Sequence, residues 1–563
     1  MQVQALANGL TGQTDWKTID WKEQNRLVRN LRQRIFRATQ AGDWKKVRSL
    51  QRLMLRSRAN VLLSVRRVSQ VNQGKHTPGV DKVVVKTPAE RGKLADDILT
   101  FTPWRAQPAR RVYIPKANGK QRPLGIPTIR DRAMQAIVKN ALEPSWEARF
   151  ERSSYGFRPG RGCHDAIEAI FIKCRGNSHK KWILDADVKG AFDNISHDFL
   201  MRTIGDVPGK ALIHQWLKAG YMEMGRYHDT ESGTPQGGVI SPLLANIALH
   251  GMEEALNIRW SSRGYNLSTH AVVRYADDFC VFCETKEDAE ICQTILTEWL
   301  KQRGLEFSAE KTHIVHLTEG VDFLSFNIRQ YPSRNTKTGW KLLIKPSKKA
   351  VQRMRNRLRD ELKALHGHNH LDVIKRLNPI IRGQANYHRI AVAKRTFNKL
   401  DNFLTYRLIR FVKRLHPTKP KYWWQQQYFG KLHPNRNDQW VFGDKKTTTY
   451  LLKYSWFPIQ RHILVRGTAS PDDPRLRHYW QQRELQKAKT LKPVMRELAQ
   501  KQKGICSVCG ESLFNEEDIE QHHIVAQVQY GSNTLDNKLL VHTECHRQLT
   551  AVQRQQGLFL RRK

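Results

Sequence analysis

The sequence contains no apolar run long enough to cross a bilayer, no signal peptide and no lipidation motif. These absences argue against membrane attachment, and we expect an intracellular, cytoplasmic protein. Cysteine is also sparse, with 8 residues in 563, which excludes a disulfide framework. Several of these cysteines lie in hydrophobic or mixed segments and are expected to be ordinary core residues: Cys163, Cys174, Cys280, Cys283 and Cys292.

Negative charge is scarce, because 52 acidic residues face 96 lysines and arginines, which gives a formal net charge of +44. Such an excess destabilises a compact fold by self-repulsion unless a polyanion binds to it. The basic residues are spread over the whole chain rather than confined to one tail. The composition therefore predicts a large nucleic-acid footprint, with attachment to a membrane surface as the alternative.

Local patterns change along the chain, whose length is enough for about three or four domains. Apolar positions at helical spacing predict basic helices over 20–75 and 345–415. Strand and helix signals alternate over 180–330, as expected for an α/β core. Residues 416–500 are rich in Trp, Tyr and Pro and have no clear period.

Two strand-like segments, Ala271–Tyr275 and Phe279–Cys283, flank the pair Asp277-Asp278 and predict a tight hairpin. Adjacent carboxylates favour a divalent metal between them, although an exposed Asp-rich turn is the alternative. An upstream strand carries Asp185 and Asp187 on one face. Either could complete a site for two Mg²⁺ that activates a primer 3′-hydroxyl, and the spacing does not choose between them.

The C-terminal segment contains two pairs of soft metal ligands, Cys506 with Cys509 and His542 with Cys545. Four such ligands in two closely spaced pairs are typical of a structural tetrahedral Zn²⁺ site. His542 is the least secure ligand, since a second Cys-x-x-Cys pair is the more common pattern. The alternative is that the two ligand pairs lie in turns whose cysteines stay reduced and bind no metal.

Ordered motifs link these features: the segment Asp187–Phe192, then Pro235–Leu244, then Tyr275–Asp278. The segments 77–81, 154–159 and 305–312 accompany them in the same order. Together they resemble reverse transcriptases and, more narrowly, group II intron-encoded proteins over nearly the whole chain. The resemblance implies an α/β and α+β multidomain fold, in which a right-hand polymerase has its fingers and palm at 86–335. A basic helical extension would occupy 1–85, a helical thumb (maturase domain X) 336–430, a DNA-binding region 431–500 and a zinc-stapled ββα-metal HNH module 501–563.

The resemblance also assigns a role to each carboxylate near the predicted polymerase site. It assigns the third ligand of the two Mg²⁺ to Asp187, beside Asp277 and Asp278. It makes Asp185 and Asp193 structural residues.

Substrate contacts follow from the same resemblance. Phe192 would lie beneath the incoming sugar and exclude a 2′-hydroxyl, which selects dNTPs; a core Phe is the alternative. Lys116 would bind the triphosphate through its ammonium charge, and Arg122 would bind it through its planar guanidinium group. Gln236 and Gly237 would bring backbone close to the templating pair.

The residues His522, His523, Asn537 and His546 are similar to those of an HNH endonuclease. On that pattern His523 deprotonates the attacking water, and His522 and His546 hold a catalytic divalent metal. Asn537 would brace the loop that carries the base. The chain departs from the pattern at Thr550, where the family often has a further His, and a zinc ribbon that only binds DNA is the alternative.

A basic arm follows the polymerase segments, with Arg353, Arg355, Arg357 and Arg359 at alternating positions. Segment 377–388 resembles the maturase domain, so this arm and the N-terminal helices are expected to bind intron RNA. The residues Tyr450, Arg461, His462, Tyr479 and Trp480 fall in the region assigned to DNA by analogy.

We therefore expect an RNA-directed DNA polymerase, splicing maturase and DNA endonuclease that inserts its intron into target DNA. The alternatives are a maturase whose enzymatic sites are vestigial and a reverse transcriptase of a retron or defence system.

Overall fold

The computed structural model describes residues 14–555, apart from 102, 116–118 and 120. Its first part is a group of basic helices that begin at polar capping side chains, which accept hydrogen bonds from backbone amides. These helices are α1 (Trp21–Gln40), α2 (Trp44–Arg56) and α3 (Arg58–Arg66), followed by α4 (Pro88–Leu99) and α5 (Ile129–Glu147). Helices α1 to α3 pack on one another and on α5. The helical interpretation of this region is confirmed.

Two four-stranded sheets form the central part, in the orders β2-β1-β4-β5 and β6-β7-β3-β8. Their strands are β1 (Ala109–Pro115), β2 (Gln121–Ile126), β3 (Trp182–Asp187), β4 (Tyr221–Glu223), β5 (Arg226–His228), β6 (Ala271–Tyr275), β7 (Asp278–Cys283) and β8 (His313–His316). The helices between them are α6 (Cys163–Cys174), α7 (Ala191–Asn194), α8 (His197–Ile204), α9 (Lys210–Lys218), α10 (Ser241–Ala248), α11 (Met252–Ala255) and α12 (Lys286–Lys301). The alternation confirms the α/β expectation for residues 180–330.

The second of these sheets is buried on both faces. Leu184, Phe279 and Val281 belong to one apolar core, whereas Ile183 and Phe282 belong to the core on the opposite face. Side chains alternate between the faces of a strand, so burial on both sides explains why β6 and β7 read as continuous apolar runs. A rigid, doubly packed sheet thus supports the polar residues at its edge.

A third sheet, in the order β11-β10-β9, leads into a helical region. Its strands are β9 (Val321–Phe323), β10 (Phe326–Pro332) and β11 (Trp340–Pro346), followed by α13 (Lys348–Ala364), α14 (His370–His388), α15 (Lys394–Leu415) and α16 (Lys421–Tyr428). The helices predicted over 345–415 are therefore confirmed. Short strands and helices then alternate with irregular chain: β12 (Phe429–Gly430), β13 (Val441–Asp444), β14 (Thr449–Tyr450), α17 (Arg477–Lys487) and α18 (Pro493–Lys501).

The last described elements form a hairpin and a helix, β15 (Ile519–His523), β16 (Lys538–His542) and α19 (Thr543–Gln555). This ββα unit packs directly against the N-terminal helices. Trp21 and Val61 share a buried apolar cluster with Leu513 and Leu540. The amide of Asn25 donates to the carbonyl of Cys509 at 3.1 Å. The two ends of the described chain are thus joined in one core.

Within the described residues, no helix is both long and apolar enough to span a membrane.

Candidate active sites

The predicted hairpin carries its carboxylates at one end of the buried sheet. Strands β6 and β7 pair antiparallel, and the connection is Ala276-Asp277, in which Ala276 adopts a left-handed φ of 59°. Asp278 begins β7 and lies opposite Asp187, the last residue of β3. The structure therefore brings Asp187 together with Asp277 and Asp278, which follow it by 90 and 91 residues in the sequence.

Burial and neighbouring negative charge both act on Asp277 and Asp278. Desolvation, followed by the charges of Asp277, Asp187 and Asp185, raises the pKa of Asp278 to about 7. The pKa of Asp277 is also raised, by desolvation and then by the charge of Asp187. Carboxylates that resist ionisation together gain most from a cation held between them. Hard oxygen donors of this kind fit Mg²⁺.

A lysine already provides one positive charge at the site. The Nζ of Lys311 lies 2.7 Å from Oδ2 of Asp187, and this contact raises the pKa of the lysine. Residue patterns assigned Lys311 no role beyond its membership of segment 305–312. Its partner lies 124 residues away, and no local pattern predicts such a contact.

The structure distinguishes Asp185 from Asp187. Asp185 lies two residues further into the sheet, opposite Cys280, whose thiol is 3.6 Å from its carboxylate. Burial raises its pKa to about 6. Asp187 lies opposite Asp278 at the strand end, so it is the better placed third carboxylate.

A buried arginine on β6 donates a hydrogen bond to the hairpin connection. Arg274 is 1% exposed and donates to the side chain of Asn246 at 3.1 Å and to the carbonyl of Ala276 at 3.2 Å. Segment 154–159 runs alongside, and a Cβ on Gly156 would lie 2.2 Å from the nitrogen of Ala276. Only glycine permits that approach, which explains its place in the motif. Arg274 was missed because a charged residue inside an apolar strand gives no sign of its partners.

The predicted sugar gate follows directly from the catalytic strand. Phe192 lies in α7, is 7% exposed and packs edge-on against Phe157, with ring centroids 6.1 Å apart. A ring held on two sides is rigid, which is what a steric gate requires. Core packing alone would also bury it.

The predicted substrate-binding residues form a hydrogen-bonded chain. The Nε of Arg122 donates to Oε1 of Gln236 at 2.7 Å, and the amide of Gln236 donates to Asp193 at 3.0 Å. Gly237 has φ +131°, and a Cβ there would lie 2.6 Å from the carbonyl oxygen of Gly125. The loop therefore requires glycine at this position. The predicted Lys116 lies outside the described residues.

The four predicted zinc ligands come together in the C-terminal unit. The ligand atoms of Cys506, Cys509, His542 and Cys545 all lie within 4.8 Å of one another, and all four residues are buried. His542 uses Nε2 to donate to the carbonyl of Ser512 at 3.0 Å, which leaves Nδ1 facing the cysteines. A ring oriented through its second nitrogen is typical of metal-bound histidine. The cluster fits a tetrahedral zinc site, and His542 belongs to it.

Two predicted metal ligands of the HNH pattern also meet. The rings of His522 and His546 are 5.1 Å apart, on β15 and α19. Burial, followed by the charges of His546 and His523, lowers the pKa of His522, which favours the neutral form that binds metals. Glu520 contacts Nδ1 of His546 at 2.5 Å and orients that ring. His523 ends β15, with Nε2 3.4 Å from the amide oxygen of Asn533.

Asn537 ties down the loop beside His523, as the resemblance implied. Its Oδ1 accepts from the amide of Val525 at 2.8 Å, and its Nδ2 donates to the carbonyls of Val525 and Ser532 at 2.9 and 2.7 Å. Three side-chain hydrogen bonds at one residue fix the course of the loop.

Comparison with known proteins follows the same division of the chain. A reverse transcriptase (RNA-dependent DNA polymerase) family model matches residues 114–328, and a model of the N-terminal domain of reverse transcriptase matches 16–98. A group II intron maturase-specific domain matches 351–429, and an HNH endonuclease matches 506–551.

Curated relatives agree with these matches. The group II intron-encoded protein LtrA of Lactococcus lactis subsp. cremoris is 31% identical over 416 residues, which cover 59% of this chain and 68% of LtrA. Protein YkfC of Escherichia coli K12 is 35% identical over 337 residues, 53% of this chain and 87% of YkfC. The chain belongs to the group II intron-encoded proteins. It is a reverse transcriptase that also carries a maturase domain and an HNH endonuclease domain, and its substrates are nucleic acids, intron RNA among them.

The four alternating arginines of the basic arm lie on α13 and do not share one face of that helix. At 3.6 residues per turn, alternating positions of α13 divide between two flanks. Arg353 and Arg357 share one flank, where Arg357 pairs with Glu361 at 2.6 Å. Arg355 and Arg359 share the other. The buried side of the helix, which includes Met354 and Leu358, packs on the helical core.

Two of the residues in the region assigned to DNA by analogy contact other parts of the chain. His462 lies 2.9 Å from the carboxylate of Asp165 on α6, which also accepts from Arg483 at 3.1 Å. Trp480 is 8% exposed and fits against Gly160. These side chains therefore connect the region assigned to DNA with α6 and with the segment around Gly160.

Gln553 is a further residue at the nuclease site that the sequence did not indicate. It lies on α19 two turns after His546, and its Nε2 is 3.3 Å from Nε2 of His522. Its Oε1 is buried without a hydrogen-bond partner within the described residues. Gln553 thus reaches the histidine pair from the face on which the family often has a histidine and this chain has Thr550.

Proposed function

We propose that this intron-encoded protein cuts one strand of a target DNA at its HNH site and copies intron RNA from the resulting primer. The observation that carries the proposal is the meeting of Asp187, Asp277 and Asp278 at the end of a doubly buried sheet. Asp187 raises the pKa of both Asp277 and Asp278, and the three carboxylates suit two Mg²⁺, which would activate the primer 3′-hydroxyl and neutralise the leaving pyrophosphate when bound.

The surrounding residues orient the dNTP in this proposal. Phe192 would lie beneath the sugar of the incoming nucleotide, where its ring would clash with a ribose 2′-hydroxyl. Arg122, which Gln236 holds in position, would donate hydrogen bonds from its planar guanidinium group to the triphosphate oxygens. Gly237 leaves room for the templating base pair. Lys311 holds Asp187 in place and neutralises part of the negative charge.

Substitution of Asp277 tests the polymerase assignment. Asp277→Ala should abolish primer extension on an RNA template and leave binding of intron RNA largely intact. Asp360→Ala, at an exposed position on α13, is the matched control and should extend primers like the parent chain. Primer extension that survives Asp277→Ala would refute the assignment.

The nuclease proposal rests on the packing of β15 against α19. His522 and His546 would hold the divalent metal, whose charge stabilises the scissile phosphate when it is bound. His523, at the exposed strand end, would remove the proton of the attacking water. Asn537 positions the loop, and Zn²⁺ on Cys506 and its three partners would staple the unit together.

The test of separate sites is His523→Ala. Nicking of the second DNA strand should be lost while cDNA synthesis on a pre-nicked target continues. His368→Ala, an exposed histidine far from β15 in sequence, serves as the control. Loss of both activities in a folded His523→Ala protein would contradict independent centres.

We further propose that helices α13 to α15, within a thumb at 336–430, bind intron RNA together with the extension at 1–85, and that 431–500 contacts target DNA. The fingers and palm would span 86–335, and the HNH module 501–563. The net charge of +44 supports binding of nucleic acids. Affinity for intron RNA should fall steeply between low and moderate salt. A shallow dependence on salt would oppose a phosphate-dominated interface.

A further inference from the structure

A second cluster of metal-ligating side chains lies at the base of the catalytic hairpin, away from both proposed catalytic centres. His270 directly precedes β6, and Cys283 is the last residue of β7. Asp288 and Cys292 lie one turn apart on α12. Three separate elements thus bring together two thiols, an imidazole and a carboxylate.

For three of the four side chains, the distances between ligand atoms are close to those around a tetrahedral metal ion. The ligand atoms of His270, Asp288 and Cys292 all lie within 4.8 Å of one another. Nδ1 of His270 is 3.2 Å from Oδ1 of Asp288, which is 4.0 Å from Sγ of Cys292. Sγ of Cys283 is also 4.0 Å from Sγ of Cys292. Metal bonds of about 2.0–2.3 Å at tetrahedral angles place ligand atoms about 3.3–3.8 Å apart.

The orientation of the histidine is an independent indication. Its Nε2 donates to the carbonyl of Leu256 at 2.6 Å, so Nδ1 is the nitrogen that faces Asp288. The hydroxyl of Thr269 also lies 3.2 Å from that Nδ1. Metal-bound histidines are commonly fixed in this way, with the second ring nitrogen on a backbone carbonyl.

Burial leaves one atom of the cluster unsatisfied. Oδ2 of Asp288 is buried and has no hydrogen-bond partner among the described residues. Buried carboxylate oxygens are rarely left unpaired, because each loses its hydration. Cys283 and Cys292 are 0% and 1% exposed, whereas the side chains of His270 and Asp288 are 16% and 22% exposed. An ion would therefore enter from the His270 side and meet the thiols inside.

We propose that His270, Asp288 and Cys292 bind a structural Zn²⁺ and that the thiol of Cys283, 4.0 Å from Sγ of Cys292, moves in as the fourth ligand. Nitrogen, oxygen and two sulfur donors suit zinc better than the hard cations of the catalytic centre. The site would join the start of β6 and the end of β7 to α12. It would lie about 17 Å from the Asp278 end of β7, from a rise of about 3.4 Å per residue. The metal would thus anchor the hairpin without taking part in catalysis.

Zinc content of the full-length chain tests this site. The purified chain is treated with a mild chelator, and its zinc content is measured by inductively coupled plasma mass spectrometry. Each parent chain should hold one zinc ion more than the His270→Asn and Cys292→Ala proteins prepared in parallel. Cys174→Ala, at a buried cysteine outside both clusters, is the matched control and should keep the parent content. Equal zinc content in the parent and in folded His270→Asn protein would overturn the proposal.

A second measurement needs no substitution and covers the case in which the variants fail to fold. Cadmium NMR of the cadmium-loaded parent chain should show two thiolate-bound resonances, one from Cys506 and its partners and one from this cluster. A single thiolate resonance would overturn the proposal, as would a disulfide between Cys283 and Cys292 in place of a metal.

Discussion

Replacement of Asp278 by Asn should destroy polymerisation and at the same time stabilise the metal-free protein. The pKa of Asp278 is raised from an ordinary value of 3.8 to about 7, because the carboxylate is desolvated and faces Asp277 and Asp187. Ionisation of this group therefore opposes folding. Asparagine has the same shape without the charge, so the variant escapes the repulsion. A carboxylate retained for structure alone would show the opposite, a loss of stability on replacement.

The size of the effect follows from the pKa. A displacement of this extent corresponds to at most about 4 kcal/mol. The side chain of Asp278 is exposed on its outer side, where solvent screens the charges, so we expect about 1 kcal/mol. The folded pKa lies above the unfolded one. The penalty is therefore absent below about pH 4, grows as pH rises and is complete above about pH 7.

Urea unfolding of the parent and Asp278→Asn chains, followed by tryptophan fluorescence in EDTA, measures this difference. At pH 8 the variant should be the more stable protein, and the two curves should converge as the pH approaches 4. Added Mg²⁺ should stabilise the parent more than the variant. Asp360→Asn provides the control for loss of one exposed charge. A variant that is less stable than the parent at pH 8 in EDTA would refute the reasoning.

Other substitutions give distinct outcomes. Phe192→Ala should lower the preference for dNTPs over rNTPs in primer extension by about 10- to 200-fold, and unchanged discrimination would exclude a gating role. Asn537→Ala removes three loop hydrogen bonds and should reduce nicking about tenfold or more while cDNA synthesis persists. An equal fall in both activities would indicate misfolding instead. Arg158→Met leaves Glu147 buried without its bidentate partner, which should cost about 3–5 kcal/mol in urea unfolding. A loss below about 1 kcal/mol would show that the pair is dispensable.

The catalytic hairpin could be predicted from the sequence because its information is local. Strand-forming residues on both sides of a two-residue turn fix where the chain reverses, and the reversal places Asp277 and Asp278 at the tip. Spacing alone did not choose between Asp185 and Asp187; the family resemblance favoured Asp187, and the fold places Asp187 opposite Asp278. That placement depends on the register between β3 and β7, which residue patterns within one strand do not determine.

Contacts between distant segments could not be predicted from the sequence, for the same reason. Periodicity shows which face of an element is buried, but not which residue it meets. Lys311 at Asp187, Glu520 at His546 and Gln553 at His522 are all contacts of this kind. The cysteines of β7 and α12 were likewise expected to be plain core residues, since their proximity to His270 and Asp288 arises only in the fold.

The joining of the C-terminal unit to the N-terminal helices has a consequence for DNA. Those helices pack on α5, and α5 contributes Leu142 and Trp146 to the core beneath the catalytic sheet. The two proposed catalytic centres are therefore joined by continuous packing rather than by a flexible linker. A DNA processed by both must span or shift across a set distance. The number of base pairs between the nick and the insertion point would then be a molecular ruler, the same at every target site.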